Sequence, residues 1–156
     1  MIAERKQKRQ ELSDERIEKI CDRVTTQIDN LIVKYEENHS KQVQVYQRIK
    51  LNIQNAIVRL KTLGYDTAVV EAKLVNFDNL VREFDALHTQ FQVILNESGL
   101  MACGESEGAY KDKIKEANGV AAQMRAKAKE IKEYYEREIK VALKDLKSQK
   151  PVSFPV

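Results

Sequence analysis

The stretch Val70–Leu95, VEAKLVNFDNLVREFDALHTQFQVIL, decides the fold. Val70, Phe77, Phe84 and Phe91 recur at one position of a seven-residue repeat. Leu74, Val81, His88 and Leu95 recur at the other. Leu80, Leu87 and Ile94 widen the stripe to three apolar positions per heptad, which suits a helix that faces two partners rather than one. The repeat predicts a helix over about 67–97.

Upstream of it, Leu63-Gly64-Tyr65-Asp66-Thr67 reads as punctuation. Gly64 stops the preceding helix as its C′ residue. Asp66 caps the next one, with Tyr65 placed to staple onto Val70. A connection of two or three residues makes the flanking helices an antiparallel hairpin. Before it, apolar residues run Ile17, Cys21, Val24, Ile28, Leu31, Tyr35 and on to Ile53, Ala56, Leu60 and Leu63. About fifty residues of heptad-like pattern predict a first helix over about 14–63. Ser13 is its candidate cap, with Leu12 and Ile17 as a staple, which leaves 1–12 as a basic N-terminal segment.

Downstream, Ser98 to Ser106 reads as a loop. Ser106 caps a third helix over about 107–148, whose seam carries Ile114, Ala121, Ala128, Tyr135 and Ala142, with Ala117, Met124 and Ile131 beside them. Gly119 is its weak spot, and Pro151 and Pro155 exclude helix from the tail, 149–156. The expected fold is all-α: an elongated antiparallel three-helix bundle with coiled-coil packing over 13–148.

Composition agrees. The chain has 156 residues, 33% of them charged, with five glycines and two prolines. So few breakers exclude a loop-rich sandwich or a disordered linker. No apolar run approaches the length of a membrane span. The net charge of +3 is unevenly spread. Residues 1–10 and 107–150 are basic, and the middle is acidic. The basic clusters at 1–10 and 140–150 are expected at opposite ends, and the aromatic residues lie in seams rather than beside exposed bases. Specific nucleic-acid binding is therefore not expected.

Cys21 and Cys103 are the two cysteines, eighty-two positions apart in sequence. Two readings stand: a seam thiol and a loop thiol, or one disulfide. Pairing back from Gly64 sets Glu97 beside residue 33. A third helix of about forty residues covers the overhang of the first only if the loop steps ~18 Å towards residue 21, which five or six extended residues span. Cys103 then arrives near Cys21, which favours the disulfide. A disulfide places the chain in an oxidising, extracytoplasmic compartment; without it a cytoplasmic location is expected. No apolar core of a signal peptide follows the basic start, so the chain is either cytosolic or a form whose leader is missing.

His39 and His88 both fall on core seams. With residue i of the first helix facing about 131 − i of the second, His39 faces Gln92 and His88 faces Val43. Gln42 shares the seam, so His39, Gln42 and His88 are candidates for one buried polar layer that fixes register. A proton-linked switch is the alternative, and a metal would need further ligands. No carboxylate pair stands apart as general acid and base, and there is no Ser/His/Asp set, GxGxxG or P-loop. Neither catalytic nor cofactor nor metal residues are expected.

Leu63-Gly64-Tyr65-Asp66-Thr67 and Ala102-Cys103-Gly104-Glu105-Ser106-Glu107-Gly108, with Glu133-Tyr134-Tyr135 and Leu143/Leu146, resemble small exported helical proteins of candidate-phylum bacteria. The resemblance covers about residues 15–148. It implies export and a paired Cys21 and Cys103, and it transfers no functional residue. The expected function is non-catalytic: a structural or protein-interaction helical module, extracytoplasmic if the cysteines pair, with a protein partner or self-association. The alternative is a cytosolic coiled-coil adaptor that touches nucleic acid or anionic surfaces through its basic ends.

Overall fold

The computed structural model describes residues 1–103 and 107–149. All its elements are helical: α1 (Ile2–Thr62), α2 (Ala68–Ala102), α3 (Glu107–Tyr134), a π-helical turn (Tyr135–Ile139) and α4 (Lys140–Ser148). α3, the π turn and α4 follow one another without a break and make up the expected third helix. Among the described residues there is no strand.

The chain divides into two compact units. The first holds Met1–Asn38 and Thr89–Ala121; the second holds His39–His88 and the chain from Ala122 onward. In the first, Ile28, Phe91, Ile94, Leu95, Ala117, Val120 and Ala121 are buried. Tyr35 lies on Phe91 with ring centroids 4.4 Å apart. Lys113 reaches from α3 to Glu97 of α2 at 2.8 Å. In the second, Tyr46, Ile53, Ile57 and Leu60 of α1 are buried with Val70, Phe77 and Phe84 of α2 and with Met124, Ile131, Ile139 and Leu146. Tyr46 sits edge-on to both Phe77 and Phe84.

The turn between α1 and α2 follows the sequence closely in kind. Gly64 has φ 90°, the one positive value among the described residues. Its N–H donates to the Lys61 carbonyl at 2.9 Å and the Tyr65 N–H to the Leu60 carbonyl at 2.9 Å. Those are the two bonds of a Schellman closure, and the left-handed residue they require is a glycine because a Cβ there is strained. Asp66 Oδ1 accepts the Ala68 N–H at 3.1 Å. The connection is five residues, Leu63 to Thr67, rather than two or three.

Three boundaries differ from expectation. α1 starts at Ile2, so the basic segment 1–12 is helix and Ser13 is not a cap. Residues 2–16 contain neither Gly nor Pro and are mostly Ala, Glu, Arg, Lys, Gln and Leu, all good helix formers. Gln10 Nε2 also donates to Asp14 Oδ1 one turn on, at 3.2 Å. α2 runs past Glu97 to Ala102. Ser98 is fully buried, and its hydroxyl donates to the Leu95 carbonyl at 2.6 Å, so the helix continues without an unpaired polar group. The expected cap at Ser106, the loop glycine Gly104 and the tail from Lys150 lie outside the described residues.

The third difference is a π turn at Tyr135–Ile139, inside a third helix expected to be regular throughout, while Gly119, the expected weak spot, is continuous α-helix. The Lys140 N–H bonds the Tyr135 carbonyl, five residues back. The buried positions Ala117, Met124 and Ile131 are seven apart; the next are Ile139 and Leu146, eight and then seven further on. A π turn accommodates one extra residue, so it restores the apolar seam that a strict heptad would have handed to Glu138. Gly119 lies in uninterrupted α3, and a methyl built there meets nothing within 4 Å. Gly119→Ala is therefore expected to stabilise the protein by about 0.5–1 kcal/mol, read as a higher urea midpoint; a lower midpoint would contradict an open helical site.

Candidate functional site

The two histidines meet, though not through the partners the sequence suggested. The rings of His39 and His88 stack with centroids 3.9 Å apart and planes 2° from parallel. His88 is 5% exposed. His39 Nε2 lies 2.7 Å from Asp85 Oδ1, and the His39 ring also stacks with Phe84, centroids 5.6 Å apart. Flat rings from α1 and α2 thus fill the interhelical space as an aromatic pair would, while Asp85 takes the outward nitrogen.

Gln42 does not join this layer. Its Nε2 donates to Tyr46 Oη at 2.8 Å, one turn along α1. Burial pushes the Tyr46 phenol above its ordinary value, against the pull of the Gln42 bond. Gln92, the partner expected for His39, donates to Glu36 instead, at 2.9 Å. The true pairing is displaced by about one helical turn. In the second unit the paired numbers sum to 132 at Lys61–Glu71, 128 at Lys50–Asp78 and 127 at His39–His88. A single offset extrapolated from the turn therefore does not hold along the hairpin. Asp85 was missed because it looks like a surface acid. Its signal was its place three residues before His88, on the same side of α2.

Cys21 and Cys103 come together at disulfide distance, with Cα atoms 4.8 Å apart. Cys103 is exposed and Cys21 half-buried, and Thr25 Oγ1 lies 3.7 Å from Cys103 Sγ.

Three lysines between helices are engaged with carboxylates. Lys127 of α3 contacts Glu83 of α2 and Glu130. Lys113 contacts Glu97 and Glu116. Lys73 contacts Glu138 of the π turn, and Tyr134 Oη donates to the Lys73 carbonyl at 3.2 Å. The bonds to Glu130, Glu97 and Glu138 respectively are the leading cause that holds each lysine above its ordinary value. A lysine fixed as a cation in this way is a tie between helices and a poor proton acceptor. Tyr135 packs on Phe77 and carries Lys140 Nζ 5.1 Å from its ring centroid.

Comparison with known protein families, with curated proteins and with solved structures found no match. Among the described residues, no group of three or more His, Cys, Asp or Glu side chains is arranged to hold a metal, and no helix is long and apolar enough to cross a membrane.

Open grooves mark the second unit, two of them between helices. One, of about 340 Å³, lies between the start of α2 and the π turn with α4, with Val69, Val70 and Val141 beside Lys73 and Glu138. The other, of about 540 Å³, lies between α1 and α2, with Gln54, Ile57 and Val58 facing Leu74 and Val75. Ion pairs close its rim: Lys61–Glu71 at 2.8 Å and Lys50–Asp78 at 2.9 Å, with Arg82 also on Asp78.

The Glu71 carboxyl is held below its usual value, first by Lys61 and further by the Thr67 hydroxyl. Its contribution to stability is therefore complete above the unfolded value of 4.5 and fades as pH falls through the lower folded value. Glu71→Gln lacks this contribution at every pH. Its melting temperature should fall less than that of the parent between pH 5 and pH 3; an equal fall in both would contradict the assignment.

Proposed function

We propose that the chain is a non-catalytic helical interaction module, built in each unit as an antiparallel bundle with coiled-coil packing. The paired numbers support the antiparallel order. On α1 they fall as those on α2 rise, from Lys61–Glu71 through Lys50–Asp78 to His39–His88 in the second unit, and from Tyr35–Phe91 to Cys21–Cys103, one residue past α2, in the first. α2 and the third helix are antiparallel in the second unit too: the numbers on α2 rise from Lys73 to Glu83 as those on the third helix fall from Glu138 to Lys127. Sustained a/d burial with charged flanks is what coiled-coil packing produces.

One observation carries the functional reading: the groups best suited to chemistry are spent on holding helix to helix. His39 binds Asp85 and stacks on His88, and Lys73, Lys113 and Lys127 each bridge two helices. Outside these ties the helices leave large apolar side chains in solvent, among them Leu31, Val58, Val93 and Val141. The cysteine pair supports an oxidising, extracytoplasmic setting.

Photo-crosslinking residues placed singly at those four exposed positions, in the expressing cell, test the proposal. A discrete adduct of defined mass from at least one position is expected, and no discrete adduct from any would overturn it.

A second reading draws on the first half of α1. Arg5, Lys8, Arg9, Arg16, Lys19 and Arg23 are all exposed, follow one another at helical spacing along one face, and have no ion pair among the described residues. Such a stripe suits a polyanion, nucleic acid included, by phosphate contacts alone. Filter retention at 50 mM salt that collapses at 200 mM would favour it; no retention at 50 mM ends it.

A further inference from the structure

We infer that the stacked pair His39–His88 is an acid-sensitive latch in the second unit: it holds one added proton, on His39, disfavours a second on His88, and opens as the pH falls from neutral towards 5. The inference goes beyond the interaction-module reading and stands without it.

The geometry fixes where the protons sit. A carboxylate only accepts, so the 2.7 Å contact with Asp85 Oδ1 places a hydrogen on His39 Nε2. An added proton therefore goes to His39 Nδ1, and Asp85 balances the cation it makes. Both side chains are part-exposed, at 22% and 45%, so water shares in that balance. His88 is placed differently. It is 5% exposed, and its ring lies flat on His39, 3.9 Å away and 2° from parallel. A proton there makes a cation in a dry site, face to face with a second cation.

The surrounding charges do not relieve it. On α1, one turn before His39, Glu36 is taken by Gln92. Two turns after it, Tyr46 is a phenol held above its ordinary value and uncharged in this range. On α2, Phe84 stacks with His39 and brings no charge, and Asp85 is already the partner of His39. On the third helix, the Lys127–Glu83 pair sets residue 122 level with His88. The nearest buried side chain there is Met124, and the nearest charges are cations: the exposed Arg125, and Lys127 itself.

The unfolded chain has no such conflict. There each histidine takes its own proton near pH ~6.5. Below that value the folded chain is short of one proton, and the folding equilibrium shifts towards the unfolded state by up to about tenfold per pH unit. Stability is thus complete above the unfolded histidine value and falls as the pH drops below it. The pair also ends the hairpin of the second unit, whose α1 part begins at His39 and whose α2 part stops at His88. An end layer parts more readily than the interior of a hairpin.

Urea midpoints of the purified full chain between pH 7.5 and 5.5, above the ordinary carboxylate range, test this. The parent midpoint should fall with pH. His88→Phe keeps a flat ring that takes no proton, and its midpoint should fall less than half as far. Asp85→Asn removes the counter-charge of the His39 cation and should make the fall steeper. The ring signals of the two histidines in the proton NMR spectrum give a reading that needs no variant: one should titrate first and the other about one pH unit or more below it. A parent midpoint that does not move, a fall that His88→Phe retains in full, or two rings that titrate together would each overturn the inference.

Discussion

Reduction of the Cys21–Cys103 bond should lower the stability of the first unit by about 4 kcal/mol. The two cysteines lie 82 positions apart in sequence, and a loop of that length gains most of its stabilisation by restricting the unfolded chain. The site concentrates the effect. Beyond Tyr35–Phe91, the α1 side of this unit offers one fully buried large side chain, Ile28, while Ile17, Ile20 and Leu31 remain 40% exposed or more. So little burial holds α1 here that the covalent tie is a large part of what does. Cys21→Ser/Cys103→Ser should reproduce the effect in the absence of reductant. Native-state hydrogen exchange would read it as faster exchange in residues 21–38 and 89–103. The mass without reductant should be two hydrogens below that with it; equal masses, or exchange that reductant does not alter, would remove the disulfide from the account.

Phe77→Ala should cost about 3–5 kcal/mol in the second unit. Phe77 is 1% exposed. Tyr46 of α1 meets it edge-on, with centroids 6.2 Å apart and planes at 88°. Tyr135 of the π turn tilts over it at 6.4 Å. One ring on α2 therefore supports α1 and the third helix at once, and its removal leaves a cavity that neither rigid neighbour can close. Phe77→Leu keeps most of the volume and should lose clearly less. Urea midpoints compare the two, with an unchanged slope showing that stability alone has moved. A loss below 1 kcal/mol for the alanine variant would mean that this junction is not packed as described.

The helices were legible because their signal is periodic. Phe77, Phe84 and Phe91 fall seven apart and all are buried, and Gly64 sits where a left-handed residue closes a helix. What escaped was whatever periodicity does not encode. Ser13 resembles a start, yet twelve good helix formers around it outweigh one capping hydroxyl. Ser98-Gly99 resembles a stop, yet the serine is buried and bonded within the helix. His39 and His88 were legible as neighbours of a core, but their mutual stack and the Asp85 contact depend on axial position to within one turn, and heptads repeat every two turns. The step of eight from Ile131 to Ile139 was present in the sequence; a Tyr at 135 and an Ala at 142 on the strict repeat concealed it.

That eight-residue step gives the third helix the form of a heptad array with one residue inserted. A chain that gains a residue inside a helix must either rotate everything beyond it by about 100° or absorb the extra residue locally. Here the surplus is absorbed between Tyr135 and Ile139, and Leu146 still reaches the core. The turn is therefore a site of length tolerance. Deletion of the exposed Arg137 should remove the surplus and return Ile139 to the seven-residue repeat with little change in urea midpoint, whereas a deletion within α4 before Leu146 should turn Leu146 away from the core and lower the midpoint.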